Sequence, residues 1–288
     1  MSAATDPVVA YLRSQADVIA ARADDVLSDA PDAVHRSRVA TRRARSALRT
    51  FAPLFKNRPV RALRDELAWH ADHLGSPRDA EVLKERLLAA LATLDESDVV
   101  GPVRQRLSAA LDEAHALAHA SLVDSMQTER YHDLRAALLA FVADPPLRGK
   151  ATRAGVGALA ELFGRTVERV RRLTARAEEM PDELHLWHEV RKNAKAARYC
   201  AEALAPAFGA TADAHAKAWE RVTEALGEVQ DTVVAEQTLI RHAAGALGAA
   251  EPVETYLALE GVELSQRSEA LSAGRLAVAD ALTLAPLG

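Results

Sequence analysis

Apolar residues recur along almost the whole chain at the three-to-four-residue spacing of amphipathic helices. Leu12, Gln15, Val18 and Ile19 open one such stretch, which ends near Leu27. Ser28-Asp29-Ala30-Pro31-Asp32 then places small polar caps and a proline at a helix start, which predicts a long helix over 32–50, before Pro53. The same periodicity predicts helices over 60–74, 77–94, 98–122, 128–142 and 153–178, and then 183–205, 211–226, 229–247 and 252–283. Connections fall at Asn57-Arg58-Pro59, Gly75-Ser76-Pro77, Asp144-Pro145-Pro146 and Gly209. Links this short favour antiparallel neighbours and therefore helical bundles.

Composition strengthens that picture. Alanine, the best helix former, supplies 62 of 288 residues, whereas aromatics make up 4% and apolar runs of strand type are scarce. The expected class is all-α. A single cysteine, Cys200, rules out a disulfide framework and multi-cysteine metal sites. No apolar run approaches the roughly 20 residues that cross a bilayer, and the polar, acidic N-terminus reads as neither signal nor transit peptide. The expectation is a cytoplasmic protein with no membrane partner.

A long-range repeat organises the chain. Residues 35–55 read HRSRVATRRARSALRTFAPLF and residues 188–208 read HEVRKNAKAARYCAEALAPAF. His35 and His188, Arg38 and Arg191, Arg42 and Lys195, and Arg45 and Arg198 all correspond at one offset, 153, as do Pro53 and Pro206. Further on, Leu74-Gly75-Ser76-Pro77-Arg78-Asp79 parallels Leu226-Gly227-Glu228-Val229-Gln230-Asp231 with one residue lost. The chain therefore reads as two related helical halves, over about 5–143 and 150–285, divided near Asp144-Pro145-Pro146.

Each repeat carries a basic stripe. At about 100° per residue, histidine at the head and bases three, seven and ten positions later fall within an arc of roughly 80°. The first stripe extends to Arg49 and is flanked by Arg36 and Arg43. Between Ala33 and Arg64 stand ten basic residues and no acidic one, so nothing within that window neutralises it. Like charges at this spacing cost an isolated helix a few tenths of a kcal/mol per pair, which folding alone does not repay. Arg165, Arg169, Arg172 and Arg176 form a third row, and Arg61 and Arg64 follow the first motif.

Net charge seems at first to exclude a polyanion, because 41 acidic residues outweigh 36 basic ones and leave −5. The sum hides a division, since residues 201–288 hold 13 acids and 5 bases. Arginine outnumbers lysine 30 to 6, and its planar fork of donors suits phosphate oxygens. Parallel guanidinium rows suit a ligand with many phosphates in line. Nucleic acid is disfavoured: the motif helices have almost no aromatic residues for base stacking, Tyr199 being the exception along the stripes, and few amides for base edges. His70 with His73, and His115 with His119, offer two imidazoles on one helix face, half of a usual zinc set and without the His-Glu-x-x-His arrangement. No metal, cofactor or catalytic constellation is expected, since neither a paired carboxylate nor a Gly-rich phosphate loop accompanies the stripe histidines.

His35-x-x-Arg38-Val39-Ala40-Thr41-Arg42-Arg43-x-Arg45 resembles the first signature of the CHAD family, the conserved-histidine α-helical domain. His188-Glu189-Val190-Arg191-Lys192-x-x-Lys195-x-x-Arg198-Tyr199 resembles the second, and Leu74-Gly75-x-x-Arg78-Asp79-x-x-Val82-Leu83 is similar to the family's linking segment. The resemblance covers about residues 5–285, read as a single domain. It implies two four-helix bundles related by a pseudo-twofold axis, a basic central surface that binds inorganic polyphosphate, and recruitment to polyphosphate granules. The Glu-x-Glu-x-Lys signature of the CYTH domain often joined to the family is absent, so the chain reads as a stand-alone member.

The expected function is non-enzymatic polyphosphate binding. Arg38, Arg42, Arg45 and Arg49 of the first stripe and Arg191, Lys195 and Arg198 of the second are the main expected contacts. Arg43, Arg64, Lys192, Arg165, Arg169 and Arg172 stand behind them, with His35 and His188 orienting the stripe ends. The alternatives are a phosphohydrolase or phosphotransferase acting on polyphosphate or nucleotides, and a helical nucleic-acid binder. Two departures weaken the second half: Ala196 stands where the family usually carries a further base, and Glu202 stands opposite Arg49.

Overall fold

The computed structural model describes residues 5–151 and 155–288. Among these it shows helices and no β-strand, with one isolated antiparallel bridge between Phe55 and Leu147. The helices are α1 (Asp6–Ala21), α2 (Ala23–Leu27), α3 (Ala33–Thr50), α4 (Asn57–Leu91) and α5 (Val103–Met126). They continue with α6 (Glu129–Ala143), α7 (Val156–Glu179), α8 (Leu184–Phe208), α9 (Ala210–Gly248) and α10 (Glu254–Leu282). The helix expected from 153 is seen from Val156, its first residues lying partly outside the described ones.

Two predicted breaks are absent. The helices expected over 60–74 and 77–94 are one helix of 35 residues, and those over 211–226 and 229–247 are one of 39. Pro77 lacks an N–H and crowds the preceding turn, a penalty of about 3 kcal/mol in a helix interior. It is outweighed by packing: Leu74, Ala80 and Leu87 on either side are buried, and α5 lies along this length of α4. The Pro77 carbonyl also meets His115 Nδ1 of α5 at 3.1 Å. Pro206 is likewise carried inside α8, where the sequence predicts an end at 205.

The first half packs α1, α3, α4 and α6 together, and the second packs α7, α8, α9 and α10. One apolar cluster runs through both, from Leu12, Leu48 and Phe51 to Trp187, Leu204 and Trp219. The join is α3 against α8. Both helices bury alanines in that cluster, Ala40, Ala44 and Ala47 on one and Ala194, Ala197 and Ala201 on the other. At the far end the α4/α5 and α9/α10 hairpins share a second cluster, with Leu87, Leu91 and Leu107 beside Leu239, Tyr256 and Leu259. Arg86 of α4 ties the hairpins there, donating to Glu263 and Glu228 at 2.8 Å each and to Gln266 at 2.6 Å.

Candidate functional site

The entry to α3 is braced before the stripe begins. Asp29 and Asp32 both hold left-handed backbone, with φ of 51° and 65°. Asp32 Oδ2 accepts from Arg36 Nε at 2.7 Å, and Asp29 Oδ2 lies 2.9 Å from His115 Nε2 on α5. The chain thus turns into α3 with His35 aimed at the join between the halves.

There, side chains of α3, α4, α8 and α9 enclose a cavity of about 410 Å³. His35, Arg38 and Arg42 line it from α3, and His188, Arg191 and Lys195 from α8. Arg78, Asp79 and Arg86 close it from α4, and Gln230 and Asp231 from α9. An adjoining cavity of about 370 Å³ is lined by Arg42, Arg45, Arg49, Arg64, Lys192 and Lys195, with Tyr199 and Asp65. Arg42 and Lys195 belong to both. The two cavities therefore form one basic cleft between the stripes.

Corresponding residues play corresponding parts across the cleft. Gly75 and Gly227 lie under the guanidinium groups of Arg38 and Arg191: a Cβ on Gly75 would sit 3.8 Å from Arg38 Nη2, and one on Gly227 3.3 Å from Arg191 Nη2. One turn further on, Asp79 pairs with Arg38 at 2.9 Å, and Asp231 lies in the field of Arg191. Each stripe's first arginine thus rests on a glycine and faces an aspartate. This is the physical content of the linking segment.

The rest of the cleft is short of counter-charge. Among the described residues, Arg42, Arg45, Arg49, Arg64, Arg191 and Lys195 take part in no ion pair. The Nε atoms of Arg42, Arg64 and Arg191 are buried without a hydrogen-bond partner. Burial, then Arg191, Arg42 and Arg38, pushes the Lys195 ammonium down to about 7. Burial and Arg78 hold His35 below the usual imidazole range, and burial does the same for His188 despite its bond to Gln230. Burial, Arg64 and Arg169 lower Arg49, though a guanidinium stays charged in any case. Cations held this way, desolvated and mutually repelling, are stabilised by an anion that enters among them.

Other predicted site residues stand elsewhere. Arg43 is drawn to Glu202, with Nε 3.1 Å from the carboxylate, and lies over the Tyr199 ring at 5.6 Å. Arg198 meets the same Glu202 at 3.0 Å and Glu220 at 2.5 Å. Glu202 also accepts from the Tyr11 hydroxyl at 2.7 Å, so one carboxylate gathers three groups beneath the cleft. Lys192 reaches the adjoining cavity but pairs with Glu189 at 2.7 Å. Arg165 is exposed and pairs with Glu161 at 3.2 Å, and Arg172 is exposed and lines neither cavity. Arg169 is exposed yet close enough to act on Arg49 and Glu189.

Sequence reasoning passed over Arg78, Arg86, Gln230 and the two aspartates as cleft residues, although the linking segment names Arg78 and Asp79. For all but Arg86 the signal was a place one turn beyond the glycines. Of the other histidines, His115 is taken up by Asp29 and Pro77, and His119 Nε2 meets the Val26 carbonyl at 2.8 Å. His70 is buried beside Tyr131, and burial pushes it down to about 4. No group of three or more histidine, cysteine or carboxylate residues suited to a metal occurs among the described residues. Cys200 is buried, and burial pushes its thiol up. No helix among the described residues is long and apolar enough to cross a membrane.

Comparison with known proteins places this architecture. An uncharacterised protein of Mycobacterium tuberculosis H37Rv, Rv2226, is 32% identical over 257 residues, which are 87% of this chain and 48% of that protein. Its counterpart in strain CDC 1551 matches to the same extent, and the chain spans about half the length of these curated relatives. Among solved structures, PptA from Streptomyces chartreusis superposes with a TM-score of 0.78 at 24% identity, over 96% of this chain and 98% of that one. The CHAD domain from the plant Ricinus communis superposes with a TM-score of 0.75 at 23% identity, over 100% of this chain and 94% of that one. The sequence profile of the CHAD domain matches residues 10–240, and the chain belongs to that family.

Proposed function

We propose that the cleft binds inorganic polyphosphate, a linear polyanion, without transforming it. The observation that carries this reading is the row of cations with no ion pair, Arg42, Arg45, Arg49 and Arg64 with Arg191 and Lys195, held in two joined cavities. Six such cations among few carboxylates are a poor arrangement for folding and a good one for a chain of phosphates, each oxygen pair of which can take a guanidinium fork. The family resemblance carried by the histidine-headed stripes supports the same ligand. The acidic remainder of the molecule confines a polyanion to the cleft and repels it elsewhere. Within a cell, this binding would bring the protein to polyphosphate granules.

The test is a titration with long-chain polyphosphate at two salt concentrations, with duplex DNA of equal charge as competitor and released phosphate measured alongside. Tight binding that weakens steeply with salt, resists DNA and releases no phosphate is the expected result. No binding at low salt refutes the reading. DNA that displaces polyphosphate at equal charge points to a nucleic-acid binder, and phosphate release lost on His35→Ala or His188→Ala points to a phosphohydrolase.

A further inference from the structure

The two cavities differ in the kind of charge they hold. The adjoining cavity has Arg45, Arg49 and Arg64, whose charge is permanent. The central one has, beside its arginines, three groups whose charge depends on pH: His35 from α3, and His188 and Lys195 from α8. Lys195 stands where the cavities meet. We propose that anion binding in the central cavity is coupled to proton uptake by His35, His188 and Lys195, so that pH sets the grip at this end of the cleft, up to the shared Lys195, and not at Arg45, Arg49 and Arg64 beyond it. The inference rests on the reading of the cleft as an anion site.

The groups around these three decide the sign. Lys195 faces Arg38 and Arg42 from α3, Arg191 on its own helix and Asp231 from α9. His35 faces Asp32, Arg38 and Arg42 on α3 and Arg78 from α4. His188 faces Glu189, Arg191 and Lys192 on α8 and Gln230 from α9. Asp79 and Arg86 complete the lining from α4, Asp79 being engaged by Arg38 and Arg86 by Glu228 and Glu263. Cations outnumber carboxylates around every one of the three, and burial adds to the cost of a further charge. In the free protein all three are held below their ordinary values, Lys195 at about 7.

A polyanion threaded between α3 and α8 reverses that field. An opposite charge within about 4–6 Å favours the protonated form by about 1–3 units. Groups that are neutral in the free protein then take a proton from solvent as the anion enters. Because each value is higher in the complex than in the free protein, affinity is greatest below the free values and falls as pH rises through the bound ones. The arginines of the adjoining cavity contribute equally across this range.

Calorimetric titration of the full chain with long-chain polyphosphate tests the coupling, in two buffers of equal pH and salt but different ionisation enthalpy. Long chains keep the titrating terminal phosphates of the ligand a negligible fraction. At pH 7.5 the expected result is net uptake of about one proton or more per site, with affinity falling by about tenfold per unit between pH 7 and 8.5. Lys195→Arg, which keeps the charge and removes the titration, is expected to reduce the uptake and flatten the pH profile. His35→Gln with His188→Gln should remove the dependence that remains. Equal heats in the two buffers with affinity constant from pH 6 to 8.5 would overturn the proposal, as would full uptake in both variants. Absence of binding at pH 6 and low salt refutes instead the anion-site reading beneath it.

Discussion

The stripes on α3 and α8 begin alike and end differently. Each sets a histidine and its first arginine into the central cavity, with a glycine below and an aspartate one turn on. Beyond Arg42 and Lys195 they diverge. Arg45 and Arg49 of α3 have no ion pair and enter the adjoining cavity, whereas Arg198 of α8 is held by Glu202 and Glu220. The two departures from the repeat, Ala196 opposite Arg43 and Glu202 opposite Arg49, turn out to be linked through one contact. Glu202 neutralises Arg43, and at the positions offset by 153 stand a buried methyl, Ala196, and an unpaired guanidinium, Arg49. Two helices with matching stripes thus differ: α3 leaves its later arginines without an ion pair, and α8 ties its last one into carboxylates. The lesson is that a count of basic residues overstates a binding face wherever a carboxylate reaches it.

The comparison can be broken most directly on α3. Arg42→Ala with Arg45→Ala removes two charged donors, each of about 1.5–3 kcal/mol, and should weaken polyphosphate binding by about a hundredfold or more. The slope of log affinity against log salt should fall by about 1.4, on the single-strand figure of about 0.7 per charge. A titration at four salt concentrations measures both. If α3 and α8 grip equally, the matching change on α8 will cost as much.

Arg191→Ala is expected to cost less, about tenfold, because it removes one donor. The same titration reads it. Arg198→Ala should act on the fold instead. Its pairs are partly exposed, so the loss is about 1–2 kcal/mol, less than for a fully buried pair. Thermal melting should show the drop, with polyphosphate affinity changed by less than about threefold. A large affinity loss without a stability loss would place Arg198 in the cleft after all.

The smallest effect concerns the brace before α3, which ties Asp29 to α5. The bond to Asp29 raises His115 above the usual imidazole value. Its contribution is therefore complete below the unfolded value of about 6.5 and is lost as pH rises through the higher folded value. The difference in melting temperature between the wild type and Asp29→Asn should shrink from pH 5.5 to pH 8. Both partners are partly exposed, so it amounts to less than about 1 kcal/mol.

Helices and stripes were legible because each depends on residues within a few turns of one another. The unbroken α4 and α9 were not. Gly75, Ser76 and Pro77 are local break signals, and what overrides them is the buried packing of Leu74, Ala80 and Leu87 against partners far along the chain. The pairing of Arg198 with Glu202 could have been seen at four-residue spacing, but Arg43 reaches the same carboxylate across 159 positions. Arg78 lies within the linking motif, yet nothing in its neighbours says that it faces a cavity shared with the other half.

The sequence by itself determined an all-α chain, two histidine-headed basic faces and the acid-free window that makes the first of them strong. Periodicity and local charge suffice for that. Only the tertiary structure decided that the faces meet, where α3 packs against α8. It also decided which cations keep their charge open to a ligand. Coulomb interactions depend on distance and burial rather than on position in the chain, so an arginine beside Lys195 keeps its charge open while one beside Glu202 is neutralised.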